Sequence, residues 1–145
     1  MTIGVNGNST TFDFELNGSL PGPNFVVNTT DDPGDGACTV QHCSLREAIN
    51  AANTRTNGAT PDTITFNIPP TGAKHILVTS ALPEITDPVV INATTQPGFS
   101  TSTFAPLIEL IGSGAGPGVN GLTISAGGAR CAAWPSTASA ATASS

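Results

Sequence analysis

The stretch that most constrains this chain is residues 38–53, C-T-V-Q-H-C-S-L-R-E-A-I-N-A-A-N. It is the one convincing helix in a sequence otherwise made of short strands and turns. Leu45, Ala48, Ile49 and Ala52 recur at i, i+3, i+4 and i+7, a single apolar stripe at helical period. Ser44 stands at the N-cap position, and Glu47 three residues later completes a capping box. The spacing predicts a helix over residues 44–53, with Asn57-Gly58 closing the turn behind it. Arg46 and Glu47 are expected on its exposed side, solvated or paired with neighbours. The capping position of Glu47 accounts for it without a catalytic role. Cys38 and Cys43 flank the loop that feeds the helix. A bridge between them belongs to an oxidising compartment, whereas two free thiols would suit the cytosol. Two cysteines and the intervening His42 do not by themselves make a four-ligand zinc set.

The remainder is turn-dense and poor in charge, with 16 Gly, 12 Pro and 10% charged residues among 145. Gly, Pro and Asn supply bends while Val, Ile and Thr supply strands, so a mainly β chain is expected. A net charge of -6 with only four basic residues disfavours a nucleic-acid surface and adhesion to anionic lipid. No apolar run approaches the roughly 20 residues that span a bilayer. The opening M-T-I-G-V-N-G-N-S-T has neither the basic nor the apolar region of a signal peptide.

Residues 1–23 read as an N-terminal extension and linker, with one strand candidate at 11–16 and a break at Pro21-Gly22-Pro23. Residues 24–29 alternate as a second strand. The acidic turn that follows holds Asp31, Asp32 and Asp35 between Gly and Pro residues. Three carboxylates in such a loop offer oxygen ligands to a calcium ion. The pattern is not an EF-hand, and Asp-Gly pairs are also routine in turns. No other cofactor is implied. Beyond Asp62, short strands are expected at 63–68, 75–78, 82–88, 89–92, 107–111 and 121–125, separated by turns and a loop-rich interval at 93–104. Short apolar strands without intervening amphipathic helices suit a wound solenoid or a sandwich.

C-S-L-R-E-A-I at residues 43–49 resembles the signature of the CSLREA domain. F-V-V-N-T-T-D-D precedes it, D-T-I-T-F follows it, and L-P-E-I-T-D-P-V-V-I-N-A-T-T-Q-P-G-F comes later, so the likeness covers residues 24–125. That domain is found near the N-terminus of bacterial surface or secreted proteins with right-handed parallel β-helices. The resemblance implies a cap at residues 24–60, the first β-helix coils at 61–125, and an extracellular or cell-surface location. A solenoid's first coil exposes an apolar cross-section and unpaired strand edges. A helix laid across that end, with Leu45, Ala48, Ile49 and Ala52 downward, would cover it, and a Cys38–Cys43 bridge would fix where the helix starts.

Three functions compete on these residues. The first is a non-enzymatic cap and scaffold of an adhesin-like envelope protein, with a cell-surface or carbohydrate partner. The second is a fragment of a β-helix polysaccharide-degrading enzyme, which needs paired carboxylates or a carboxylate with bases. Glu84, Asp87 and Glu109, with Lys74 and His75, are the thin supply for it, and the chain is read as no enzyme. The third is a calcium- or carbohydrate-binding module built on Asp31, Asp32 and Asp35.

Residues 126–145 change character, to A-G-G-A-R-C-A-A-W-P-S-T-A-S-A-A-T-A-S-S, and read as a disordered tail carrying Cys131 and Trp134. Read one base out of frame from Ala129, the codons of this segment permit A-V-R-G-L-A-I-N-G-F-S-G-N-G-I, an alternating peptide suited to a next coil. A native frame lost near Gly128 would leave a truncated solenoid, the rest of the β-helix missing and its C-terminal end uncovered. The DNA over this segment is expected to encode that peptide in the shifted frame, and a single incompatible codon removes the idea.

Overall fold

A computed structural model describes residues 24–132. The expected strand at 11–16, Trp134 and the rest of the tail from 133 lie outside the described residues. The chain is mainly β with one helix: β1 (Asn24–Val27), α1 (Leu45–Thr54), β2 (Asp62–Phe66), β3 (Lys74–Leu77), β4 (Val89–Asn92), β5 (Ile108–Ile111) and β6 (Arg130–Ala132). Two short 3-10 turns follow β4 and β5, at Ala93–Thr95 and Gly112–Gly114.

All strand pairing among the described residues is parallel. One sheet has the order β1-β2-β4-β6, and β3 pairs with β5 in a second. From β2 onward the chain visits the two sheets in alternation. Between β3 and β4, and again between β5 and β6, it passes a third line of parallel contact, the isolated bridge Ile85↔Ile124. That bridge replaces the full strands expected at 82–88 and 121–125. Prolines at 83 and 88 deny backbone donors to the first of these segments, which leaves room for only a minimal pairing.

Register aligns apolar side chains in rows through the molecule. Phe25, Ile64 and Ile91 stack across β1, β2 and β4, and Val27 lies beside Phe66. Period-2 alternation sends Ile64 and Phe66 into the core while Thr63 and Thr65 face the other way. Ile76, Ile85 and Ile108 join the same buried cluster from the other two lines of pairing. β6 departs from the expected disorder of residues 126–145, because Arg130–Ala132 pairs with β4. Ladder hydrogen bonds use only the backbone, so small and polar side chains do not prevent the pairing.

The helix runs from Leu45 with Ser44 as N-cap, and both halves of the capping box are formed. Ser44 Oγ accepts from the Glu47 amide at 3.2 Å, and Glu47 Oε2 accepts from the Ser44 amide at 2.9 Å. Leu45, Ala48, Ile49 and Ala52 are buried against β1 and β2. The helix ends differently from the expected Asn57-Gly58 turn. Arg55 is the C-cap in extended conformation, and its amide donates to Ala51 O. Cys38 and Cys43 are joined in a disulfide, both buried, directly before the helix. No helix among the described residues is long and apolar enough to cross a membrane.

Ile49 is 1% exposed and sits where helix meets sheet. Truncation to Ala is expected to cost about 3 kcal/mol through lost transfer energy and the cavity left behind. Urea denaturation at equilibrium measures it, with Asn50→Ala, on the exposed face, as the near-neutral comparison.

Candidate functional site

Chemistry-bearing side chains gather where the 31–36 loop meets the start of α1. The loop is fastened to the helix at three points. Ser44 Oγ donates to Pro33 O at 2.8 Å while it caps the helix. Arg46 forks onto Asp32, Nε to Oδ1 at 3.0 Å and Nη2 to Oδ2 at 2.8 Å. His42 Nε2 lies 3.1 Å from both oxygens of Asp31. The loop packs so closely that a Cβ on Gly34 would fall 2.9 Å from Arg46 Cδ, so a larger residue there must displace the arginine side chain.

Asp31, Asp32 and Asp35 therefore do not form the common oxygen set expected for calcium. Asp32 spends Oδ2 on Arg46 and on the amide and hydroxyl of Thr79, at 2.8 and 2.9 Å. Asp31 is held by Thr29 Oγ1 at 2.7 Å and by His42. The one group of three metal-capable residues among those described is Asp35, His42 and Glu47, with one donor atom from each within 4.8 Å of the others. His42 Nδ1 lies 3.3 Å from Glu47 Oε2. Glu47, expected on the exposed side and either solvated or paired, is paired with His42 but only 2% exposed, because its capping bond draws it under the loop.

Electrostatics follow from these contacts. The bond to Asp31 raises the pKa of His42 against a smaller opposing effect of burial, and the charges of Asp31, Glu47 and Asp35 raise it further. For Asp31, burial acts upward, but the bonds from Thr29 and His42 leave its pKa lowered. Burial also acts upward on Asp32, and the bonds from Arg46 and Thr79 outweigh it, leaving this carboxylate lowered too.

A second set of polar side chains lines the rest of the helix. Arg46 Nη1 and Nη2 continue past Asp32 to Ala81 O at 2.7 Å and Ser80 O at 3.0 Å. Asn53 donates to Glu84 O at 2.7 Å and accepts from the amides of Thr86 at 3.0 Å and Asp87 at 3.4 Å. Asn57 donates to Asp87 Oδ2 and Pro88 O and accepts from the Asp62 amide. Sequence reasoning missed these roles for Asn53 and Asn57 because polar residues near a helix end look like solvent-facing ones. The two histidines are not brought together. His75 pairs with Glu109 at 3.1 Å on adjacent strands, both exposed, while Lys74 is buried. Glu84 offers its backbone carbonyl to Asn53, and Asp87 its carboxylate to Asn57.

Asp32 is 1% exposed at its side chain, and Arg46 13%. Asp32→Asn leaves the guanidinium without its counter-charge and is expected to cost about 3 kcal/mol at pH 7. Because the folded pKa of Asp32 lies below its unfolded value, this stabilisation is complete above the unfolded pKa and is lost as pH falls through the folded one. Urea melts at pH 7 and at pH 3 are therefore expected to show the wild-type advantage shrinking at the lower pH. No protein-family model matches the chain, and no curated protein or solved structure matches it.

Proposed function

We propose that this chain is a helix-capped segment of a right-handed parallel β-helix, serving as a non-enzymatic scaffold of a CSLREA-type protein outside the cytoplasm. One observation carries the reading: the side chains of α1 and its flanks occupy the backbone hydrogen-bonding groups of residues 79–88. Ile85 directs its N–H to Thr123 O at 2.8 Å and accepts at its carbonyl from the Ser125 and Ala126 amides. Its neighbours face the opposite way, where Glu84 O and the Thr86 amide meet Asn53. On that side the helix stands where another strand could add. Covering an edge in this manner denies it to a second chain.

The wholly parallel pairing, the recurrence of three lines of contact and the rows of stacked Ile and Phe support the coil reading. The C-S-L-R-E-A-I resemblance supports the same assignment and the bacterial surface or secreted setting. The Cys38–Cys43 disulfide agrees with an oxidising compartment. By the loop-entropy relation so short a loop contributes about 2 kcal/mol, a stapling role rather than a redox one.

The double variant Arg46→Ala with Asn53→Ala uncovers the 79–88 backbone without removing the apolar stripe. Amides of Thr79, Thr86 and Asp87 are expected to exchange faster with solvent, and sedimentation velocity is expected to show concentration-dependent association absent from wild type. A monomer with unchanged exchange at Thr86 would mean that the helix guards no edge.

A further inference from the structure

We propose that Asp62 is a pH-sensitive latch between the end of α1 and the start of β4, closed while its carboxyl carries a proton and loosened when it ionises. Residues 55–61 connect α1 to β2, and all of them but Asn57 are exposed. Asn57, half-buried, and Asp62, 1% exposed, are the points where this connection turns inward. A Cβ added to Gly58, beside Asn57, would meet nothing within 4 Å, so the chain between the two points has room to move. Both points share one set of bonds. Asn57 Oδ1 accepts from the Asp62 amide at 2.7 Å, and its Nδ2 donates to Asp87 Oδ2 at 2.6 Å and to Pro88 O at 2.7 Å.

The Asp62 carboxyl itself is enclosed, and its Oδ2 has no hydrogen-bond partner. A neutral carboxyl in that place leaves a polar group unmet, while an ionised one leaves a charge unmet, and the second costs far more. Two charged groups act on it. From the helix end, Arg55 Nε stands 3.4 Å from Oδ1, but this arginine is half-exposed and does not serve Oδ2. From the segment before β4, the Asp87 carboxylate adds a like charge. The charges within α1, Arg46 and Glu47, lie at its other end and are taken by Asp32, Ser44 and His42. β1, β4 and the turn at Ala93–Thr95, which also pack on β2, carry no ionisable side chain. Burial therefore favours the proton, Arg55 opposes it, and Asp87 adds to burial.

Latch and trigger belong to one residue. Ionisation drives the Asp62 side chain toward water and away from Asp87, and the amide that Asn57 holds moves with it. Asn57 then no longer ties the connection to Asp87 and Pro88 O, and residues 55–62 swing out while the apolar stripe of α1 stays seated on the sheet. Because the closed form holds the proton more tightly than the open one, opening is hardest below the ordinary carboxylate value. It grows by up to about tenfold per pH unit above that value and levels once the closed form has ionised.

NMR on the full chain tests the latch. The carboxyl carbon resonance of Asp62 is expected to titrate above the ordinary aspartate value, with a lower midpoint in Asp87→Asn and a higher one in Arg55→Gln. Protection factors, which remove the intrinsic pH dependence of amide exchange, are expected to fall at residue 62 by up to about tenfold per pH unit. They are expected to lie below that of the buried Ile85 amide, which donates to Thr123 O, and to ignore dilute urea, because a local opening exposes little surface. Asp62→Asn keeps the amide and cannot ionise, so protection at residue 62 is expected to hold constant with pH. A carboxyl that titrates at or below the ordinary value, as a cation or buried water meeting Oδ2 would cause, overturns the proposal. So does residue 62 exchanging no faster than Ile85, or the same pH dependence in Asp62→Asn. Should Asp62→Asn fail to fold, the midpoint shift in Asp87→Asn and the wild-type exchange decide.

Discussion

The bidentate pair between Asp32 and Arg46 holds the loop, the helix and the passage from β3 to β4 in one arrangement. Burying two charges is expensive, and their attraction repays the loss only when geometry is good and the remaining hydrogen-bonding capacity is filled. Both conditions are met here. The guanidinium plane lays two bonds along the carboxylate and sends two more to Ser80 O and Ala81 O, while Asp32 also takes the amide and hydroxyl of Thr79. A lysine has no planar fork and could not serve both the carboxylate and two separate carbonyls. The pair is thus better understood as a device that specifies position than as a source of net stability.

Polar side chains also take over from the backbone where β1 and β2 stop. At the last residue of β2, Thr95 Oγ1 accepts from the Phe66 amide at 2.7 Å. Gln96, 1% exposed, then takes the Ile68 amide at 3.0 Å and gives to the Ile68 carbonyl at 2.7 Å. A side-chain amide has the donor and acceptor of a peptide group, so Gln96 continues the pairing after the backbone has turned away. Asn28 does so near the disulfide, where its Oδ1 accepts the Cys43 amide and its Nδ2 donates to Val40 O. Buried backbone groups need partners, and in a chain with short strands many of those partners must be side chains.

That division explains what was legible in the sequence. The apolar stripe of α1, its capping box and the alternation in residues 63–68 are periodic signals, and each depends on neighbours a few positions away. Arg46, Asn53, Asn57 and Gln96 act on groups 28 to 35 residues distant. Nothing local marks them, because a polar residue at a helix end or a turn has the same appearance whether it meets water or a buried carbonyl. The acidic loop misled for a related reason. Three aspartates close in sequence suggest a shared cation, yet Asp32 turns to an arginine 14 positions on and Asp31 to a histidine 11 positions on. Asp35 is the member left near Glu47.

Among the described residues, one buried carboxylate stands against this pattern of satisfaction. Asp62 opens β2 with its side chain inside, and its Oδ2 has no hydrogen-bond partner. Arg55 approaches only Oδ1, at 3.4 Å. Burial therefore dominates and raises the pKa, Arg55 opposes it, and the charge of Asp87 adds to it. The linkage runs opposite to that of Asp32. An aspartate with a raised folded pKa stabilises the fold fully below its unfolded value, and that contribution is lost as pH rises through the folded one. The half-exposed Arg55 is too weak a partner to reverse this, since a surface pair contributes at most about 1 kcal/mol. The Asp62 side chain thus carries a cost, whereas its backbone amide, which any residue but proline would supply, anchors Asn57, which in turn holds Asp87 and Pro88 O. The backbone of residue 62, more than its side chain, ties the end of the helix to the point where β4 begins.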